Sequence, residues 1–376
     1  MSTQETAAGS KALYVMIGGF LGAGKTTAII KFAHYLKSKN KRVGLITNDQ
    51  SIDLVDTARV RAAGFAVEEI TGGCFCCKFD SLVDASRELT RQTAPDVLLA
   101  EPVGSCTDLK ATVSYPLRKL YGDEYRVAPL SVLLDPRRCL RVLGLEQTGG
   151  HFSEKVVYVY RKQLEEAEIL VVNKIDSIDA PARQKLVAAL KQNFPRATVL
   201  EVSCTTGEGL TAWFELVTSS ELGTRQSMDV DYDIYADGEA LLGWLNAKVS
   251  LSAAGEFDGN AMLIALATQL RDRLASQQIE IAHLKMTLVP DAGTDMGSIS
   301  LTRSGGQPEP THSLAAPLSR GNLIINLRAE TDPEILKAEV VKAVGALGDV
   351  KAEVTILASF RPGRPTPTHR MAEAGN

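Results

Sequence analysis

Up to about residue 220 the chain alternates short apolar runs with stretches of helical spacing, the pattern of βαβ units in a mainly parallel sheet. The runs at 13–18, 42–47, 96–101, 128–134, 168–173 and 197–202 predict strands, and 25–37, 80–91, 158–167 and 180–192 predict helices between them. A polar stretch at 218–233 separates this region from one with a different pattern. There Leu245, Ala247, Val249 and Leu251 fall on one phase and Asn246, Lys248 and Ser250 on the other, so 241–251 predicts a half-buried strand. The alternation returns at Ala282, Leu284, Met286 and Leu288, at Leu323, Ile325 and Leu327, and at Val354 and Ile356. Helical spacing covers 259–276 and 332–347. The order strand, helix, strand, strand, helix, strand predicts a ferredoxin-like α+β domain, with 298–302 as an extra strand before a Gly/Pro/Ser-rich loop at 303–320. The expected organisation is a flexible N-terminus at 1–11, a first domain at 12–222, a second at 223–360, and a disordered tail at 361–376 with three Pro in its first seven residues.

Composition narrows the classes. Hydrophobic residues make up 45% of the 376 residues and charged residues 23%, near globular averages, which excludes fibrous and disordered proteins. A net charge of -4 gives no chain-wide positive field for nucleic acid or anionic lipid. No apolar run approaches the roughly 18–20 residues of a membrane span, and the chain meets a Gly-rich turn soon after its first apolar residues, so the expectation is a cytoplasmic protein without membrane or nucleic-acid partners. Of six cysteines, Cys74, Cys76 and Cys77 are clustered. Cys106, Cys139 and Cys204 are scattered and read as buried small hydrophobes. Free thiols fit a reducing compartment.

Gly19 to Thr27 reads GFLGAGKTT and satisfies G-x-x-x-x-G-K-[ST] at a strand-to-helix junction. Gly22, Ala23 and Gly24 would turn backbone N–H groups toward phosphate oxygens at the positive end of the helix. Lys25 would span the β- and γ-phosphates, Thr26 would ligate Mg²⁺, and Thr27 would meet the α-phosphate. Later, the strand at 168–173 ends in Asn173-Lys174-Ile175-Asp176. Asp176 can accept from the guanine N1–H and amino group, a donor pair that adenine lacks. Asn173 would tether this loop to the P-loop, the Lys174 stem would cover a ring face, and a backbone N–H of Ser203-Cys204-Thr205 could reach guanine O6. GTP with Mg²⁺ is therefore the expected ligand pair.

Glu101 ends an apolar strand, where a carboxylate holds Mg²⁺ through water, and Gly104 can offer its N–H to the γ-phosphate. Asp49, after the second strand, is the candidate for a second carboxylate near the metal or the attacking water. Between them lies Gly72-Gly73-Cys74-Phe75-Cys76-Cys77. Three thiols within four residues can converge on Zn²⁺ or a similar borderline ion, with the fourth donor open among Glu68, Glu69, water, substrate or a second chain.

With GGFLGAGKTT, GGCFCC, the Glu101 strand with Gly104, and NKID in this order, the chain resembles the CobW-type family of metal-associated P-loop GTPases over residues 13–220. The resemblance implies a doubly wound, mainly parallel α/β P-loop NTPase domain followed by the smaller α+β domain. It implies GTP hydrolysis coupled to delivery of zinc, cobalt or nickel to a client metalloprotein, with the Cys-x-Cys-Cys thiolates as ligands and the second domain contacting the client. A nucleotide- or metal-dependent homodimer is a further expectation. Competing readings are a GTP-dependent zinc- or redox-sensing regulator and, disfavoured by the guanine loop, a P-loop small-molecule kinase.

Overall fold

The computed structural model describes residues 11–48, 63–147, 150–223, 226–293 and 295–373. Asp49 lies outside them. The wholly buried strand β1 (Ala12–Gly19) leads through the Gly-rich turn into α1 (Lys25–Ser38). There follow β2 (Val43–Asn48), β3 (Ala66–Ile70), α2 (Phe79–Thr93) and β4 (Val97–Glu101). Beyond a π-helical turn at Lys110–Ser114 come α3 (Tyr115–Tyr121), β5 (Tyr125–Val127), β6 (Ser131–Leu134), α4 (Pro136–Val142) and α5 (Glu154–Glu166). The first region closes with β7 (Ile169–Val172), α6 (Ala180–Asn193), β8 (Thr198–Glu201) and α7 (Leu210–Ser219).

Among the described residues these strands form one parallel sheet in the order β3-β2-β4-β1-β6-β7-β8, with β5 beside the start of β1. Both faces are covered, which is why the strands read as apolar runs rather than alternations. Leu13, Val15 and Ile17 pack with α1 and α7, where Phe32 stacks on Phe214 at 4.2 Å. Tyr14 and Met16 point into the opposite core with Phe79 and Tyr160. The doubly wound α/β expectation holds. The sequence reading omitted β3, β5, α3, α4 and the ten-residue α7.

A helix, α8 (Tyr232–Leu241), starts at the end of the polar stretch and leads into the second sheet. Its elements are β9 (Leu242–Phe257), α9 (Gly259–Ser276), β10 (Ile281–Pro290), β11 (Gly297–Leu301), β12 (Glu309–His312), β13 (Leu318–Glu330), α10 (Pro333–Gly345) and β14 (Lys351–Phe360). The order β12-β11-β10-β13-β9-β14 is antiparallel throughout. Removing the two edge strands β11 and β12 leaves the ferredoxin-like arrangement that the pattern predicts. The loop expected at 303–320 contains β12, whose four residues are all exposed and carry no alternation to announce it.

The helices α9 and α10 cover one face of this sheet around Leu245, Val249, Leu284 and Leu327. Leu242, Trp244 and Ala282 instead join the core of the first region. Arg138, on α4, completes the junction: its guanidinium donates to Leu21 O at 2.7 Å, Ala282 O at 2.9 Å and Ile281 O at 3.3 Å, and also to Thr302 O. One buried cation thus ties the P-loop backbone to the second sheet.

The expectation of a disordered tail does not hold for residues 361–373. Thr368 N–H donates to Cys76 O at 2.9 Å, Met371 N–H to Ala111 O at 2.9 Å, and Ser227 N–H to Ala372 O at 2.7 Å. Main-chain bonds of this kind leave no periodic side-chain pattern to read.

Replacing Arg138 by Met would leave its carbonyl partners buried without a donor, at about 1–3 kcal/mol each where water cannot reach. Arg138→Met is expected to lower stability by about 3 kcal/mol or more in urea unfolding. A loss under about 1 kcal/mol would mean that the junction is held by apolar packing alone.

Candidate nucleotide and metal site

The P-loop takes its shape from glycines at φ 131° (Gly19), 79° (Gly22) and 94° (Gly24), all in the left-handed half of backbone space. At Gly24 a Cβ would fall 2.5 Å from Asn173 Nδ2, so the approach of the later loop forbids a side chain there. Lys25 is buried and donates from Nζ to Gly19 O at 2.8 Å, across the mouth of the loop. Thr27 is half-buried beside it on the first turn of α1. Thr26 Oγ1 donates to Glu101 Oε1 at 2.9 Å. A hydroxyl on the first turn of α1 and a carboxylate at the end of β4 are the hard oxygen donors that Mg²⁺ takes, so these residues fit that ion.

The later loop behaves as one unit with the P-loop. Asn173 donates to Ala23 O at 2.9 Å and accepts from Cys204 N–H at 3.0 Å. Lys174, at φ 57°, donates to Gly22 O at 2.9 Å and to Asp135 Oδ2 at 3.0 Å. Asp176 lies in the turn Ile175–Ser177 and is exposed. Ser203 is buried and its Oγ accepts from Thr205 N–H at 3.2 Å and Thr206 N–H at 3.0 Å. The N–H groups of Cys204 and Thr205 thus already have acceptors in this conformation. Gly104 lies against the P-loop: a Cβ there would sit 3.0 Å from Leu21 N.

On the same edge of the sheet, the loop after β3 brings Cys74, Cys76 and Cys77 together, with all three Sγ atoms within 4.8 Å of one another. Separations are 2.9 Å for Cys74 and Cys76, 3.1 Å for Cys74 and Cys77, and 3.8 Å for Cys76 and Cys77. With Zn–S near 2.3 Å, tetrahedral geometry puts sulfurs about 3.8 Å apart, so an opening of under about 1 Å accommodates the ion. Among the described residues the cluster contains no carboxylate or imidazole. Glu68 is engaged by Gln92 at 3.5 Å instead. Hydrogen bonding with Cys106 first, and with Cys76 and Cys77, holds Cys74 well below the usual thiol range despite its burial, whereas Cys76 and Cys106 are pushed up.

The residues that sequence reasoning missed bind this site to its surroundings. Asn48 Nδ2 donates to Ile70 O at 3.0 Å and Gly73 O at 2.7 Å, which ties the end of β2 to the cysteine loop. Tyr235 accepts from Thr107 N–H at 3.2 Å, and the neighbouring Glu239 carboxyl is raised to about 8, chiefly by burial. The position of Asn48 before Asp49 was the one available signal. Asp135 caps α4 by accepting from Arg138 N–H at 3.1 Å. Burial alone would raise its carboxyl, yet the charges of Lys174 and Arg138 bring it down to about 2.

This is a phosphate-binding P-loop fold joined to a thiol cluster that suits a borderline divalent ion. The family model described as "CobW/HypB/UreG, nucleotide-binding domain" matches residues 13–201, and the chain belongs to that family. It is similar to the zinc chaperone YeiR of Escherichia coli K12, with 30% identity over 179 residues, 47% of this chain and 51% of YeiR. It is also similar to the zinc chaperone CobW of Sinorhizobium sp, with 28% identity over 184 residues, 44% of this chain and 51% of that protein. The matched stretch spans about half the length of these relatives. Among solved structures, HypB from Archaeoglobus fulgidus aligns at 20% identity and a TM-score of 0.40, over 55% of this chain and 89% of that one. Zn(II)-bound YjiA GTPase of E. coli aligns at 13% and 0.37, over 89% and 99%. Among the described residues no helix is long and apolar enough to cross a membrane.

The Asp135 carboxyl lies below its unfolded value of about 3.9, so its contribution is complete above pH 4 and is lost as pH falls toward 2. The difference corresponds to about 2–3 kcal/mol. Asp135→Asn keeps the cap but not the charge. Its stability deficit against the parent, followed by urea unfolding, is expected to be constant from pH 7 to 5 and to shrink below pH 4; a deficit that grows on acidification contradicts this pairing.

Proposed function

We propose that this protein is a GTP-hydrolysing metallochaperone that takes a divalent metal as cargo on Cys74, Cys76 and Cys77 and passes it to a client metalloprotein. The observation that carries the reading is the short path between the two centres: Asn48 ties the cysteine loop to the end of β2, and Thr47 of that strand is paired with Glu101, which meets Thr26 of the P-loop. Gly22, Ala23, Gly24 and Thr27 line the phosphate turn, and Gly104 offers its N–H toward the γ-phosphate. Lys25 exchanges the Gly19 carbonyl for β/γ oxygens and stabilises the charge that develops on them. Thr26 and Glu101 would hold Mg²⁺, which would supply further neutralisation of the phosphate oxygens. Asp49 stays in this reading as a second carboxylate.

Guanine selection rests on Asp176, which is exposed and open to a base, and on Asn173, which fixes its loop to the P-loop. The cargo is zinc in the reading closest to the relatives' names, with cobalt or nickel as alternatives for a thiolate site. The second domain offers the surface for the client, and all six cysteines are free, as a reducing cytoplasm allows.

A metal titration with a GTP analogue, with GDP and with no nucleotide tests the coupling. The expected change in affinity between states is about 5–150-fold, and linkage requires metal to change GTP affinity by the same factor. Asp176→Ala should lose GTP binding by orders of magnitude and with it the shift. Equal metal affinity in all three states would leave a static metal site and remove the chaperone reading.

A further inference from the structure

We infer that residues 361–373 form a strap that closes the outer side of the thiol site and lifts before metal enters or leaves, and that the loop after Glu101 holds its latch. The inference rests on the metallochaperone reading, since a cover matters only where cargo must pass. Cys74 and Cys76 are buried and Cys77 is half-buried, so the outer side of the cluster is the side of Cys77. The end of the chain lies across it. Thr366 N–H donates to Cys77 Sγ at 3.2 Å, and Thr368 N–H to Cys76 O at 2.9 Å. His369 stands edge-on, at 5.0 Å, to Phe79, the first residue of α2 after the cysteine loop.

The local sequence favours the docked form. Pro365 and Pro367 each fix their own φ, and Thr366, which precedes a proline, is confined to extended backbone. Less chain entropy is then lost on docking. Pro362 and Pro365 are buried, and Met371 packs against the core of the first region while its N–H donates to Ala111 O at 2.9 Å. The strap is thus held on both sides of the thiols.

Its two ends are held differently. At the entry, Arg361 pairs with Asp332 at 3.2 Å and Arg364 with Asp233, and such exposed ion pairs contribute little. Beyond the thiols, Arg370 Nε donates to Asp108 Oδ2 at 2.7 Å and its Nη2 to Met228 O at 3.0 Å. Asp108 is 1% exposed and also accepts from the Tyr232 hydroxyl at 2.8 Å, which makes this end the latch. Gly104, four residues before Asp108, lies against Leu21 of the P-loop. Gln163 Nε2 donates to Gly104 O at 3.0 Å and to Cys106 O at 2.8 Å, so this stretch of loop moves as one piece. A shift of Gly104 at the nucleotide therefore reaches Asp108, and with it Arg370.

Metal-free full-length protein, labelled with a thiol-reactive disulfide and mapped by mass spectrometry, reports the cover cysteine by cysteine. Arg370→Ala removes the latch, and Thr366→Pro removes the donor to Cys77. Each should raise the labelling rate of Cys76 and Cys77 by about tenfold or more, and the rate at which bound zinc passes to a chelator by a similar factor. Cys139 and Cys204, buried in the cores on either face of the first sheet, should keep the parent rate. Parent-like rates at Cys76 and Cys77 in both variants overturn the strap, and so does a rise at all six cysteines, which would mean a general loosening of the fold. The parent should label at rates that differ by about fivefold or more between its GTP-analogue and GDP forms, a difference lost in Arg370→Ala. Equal rates in the two forms overturn the link to the loop after Glu101. All of these outcomes leave the metal site standing, whereas a Cys74, Cys76 and Cys77 triple Ser variant with full metal affinity removes the metallochaperone reading on which the strap depends.

Discussion

Strand β4 is hydrogen-bonded between β1 and β2, and this pairing fixes the rest of the site. Its register sets Ala100 beside Met16 and Glu101 beside Thr47, so the β4 carboxylate emerges between the P-loop and the end of β2. All three strands are parallel and end on one edge, where open α/β sheets collect their ligands. The same edge receives the cysteine loop, because β3 adds to β2 in parallel and its last pair sets Ile70 beside Asn48. Nucleotide elements and thiols are neighbours because two strands are, and no special fold is needed to join them.

The P-loop, the Asn173–Asp176 turn and the three clustered thiols were legible because each is a short run of unusual residues whose chemistry is local. The predicted bond between Asn173 and the P-loop appears at Ala23 O. The second domain was legible for another reason: it buries mainly one sheet face against helices, which leaves a clear alternation. What escaped depends on partners far along the chain. Asn48 reads as an ordinary strand-end residue until the fold brings Gly73 to it, 25 positions away in sequence. Residues 361–373 dock largely through main-chain bonds, and α8 begins inside the polar stretch that reads as a boundary, although Tyr235 and Glu239 are buried.

The buried carboxyl groups divide by position. Asp135, beside Lys174 and Arg138, stays ionised and organises the P-loop side. Glu166 and Glu239 lie toward the loop after Glu101, and burial pushes both up, Glu166 well above the usual carboxylate range. Protonated, they act as hydrogen-bonding groups without adding negative charge beside the thiol cluster. A buried anion there would oppose loss of a thiol proton, since like charges close together in a low dielectric are costly.

The junction with the second sheet places a further demand on the P-loop. A Cβ at Gly22 would lie 2.7 Å from Thr302 Cγ2, so the residue that must be Gly for its backbone is also closed in by the other domain. Leu21 O accepts from Arg138 while Gly22 O accepts from Lys174, which leaves two successive P-loop carbonyls held from outside the loop. Phosphate binding needs those peptide units oriented with N–H inward, and carbonyls anchored on the opposite side favour that orientation. The second domain therefore contributes to shaping the phosphate turn. Any contact that draws on Thr302 or Ala282 would, through Arg138, act on these same P-loop peptide units.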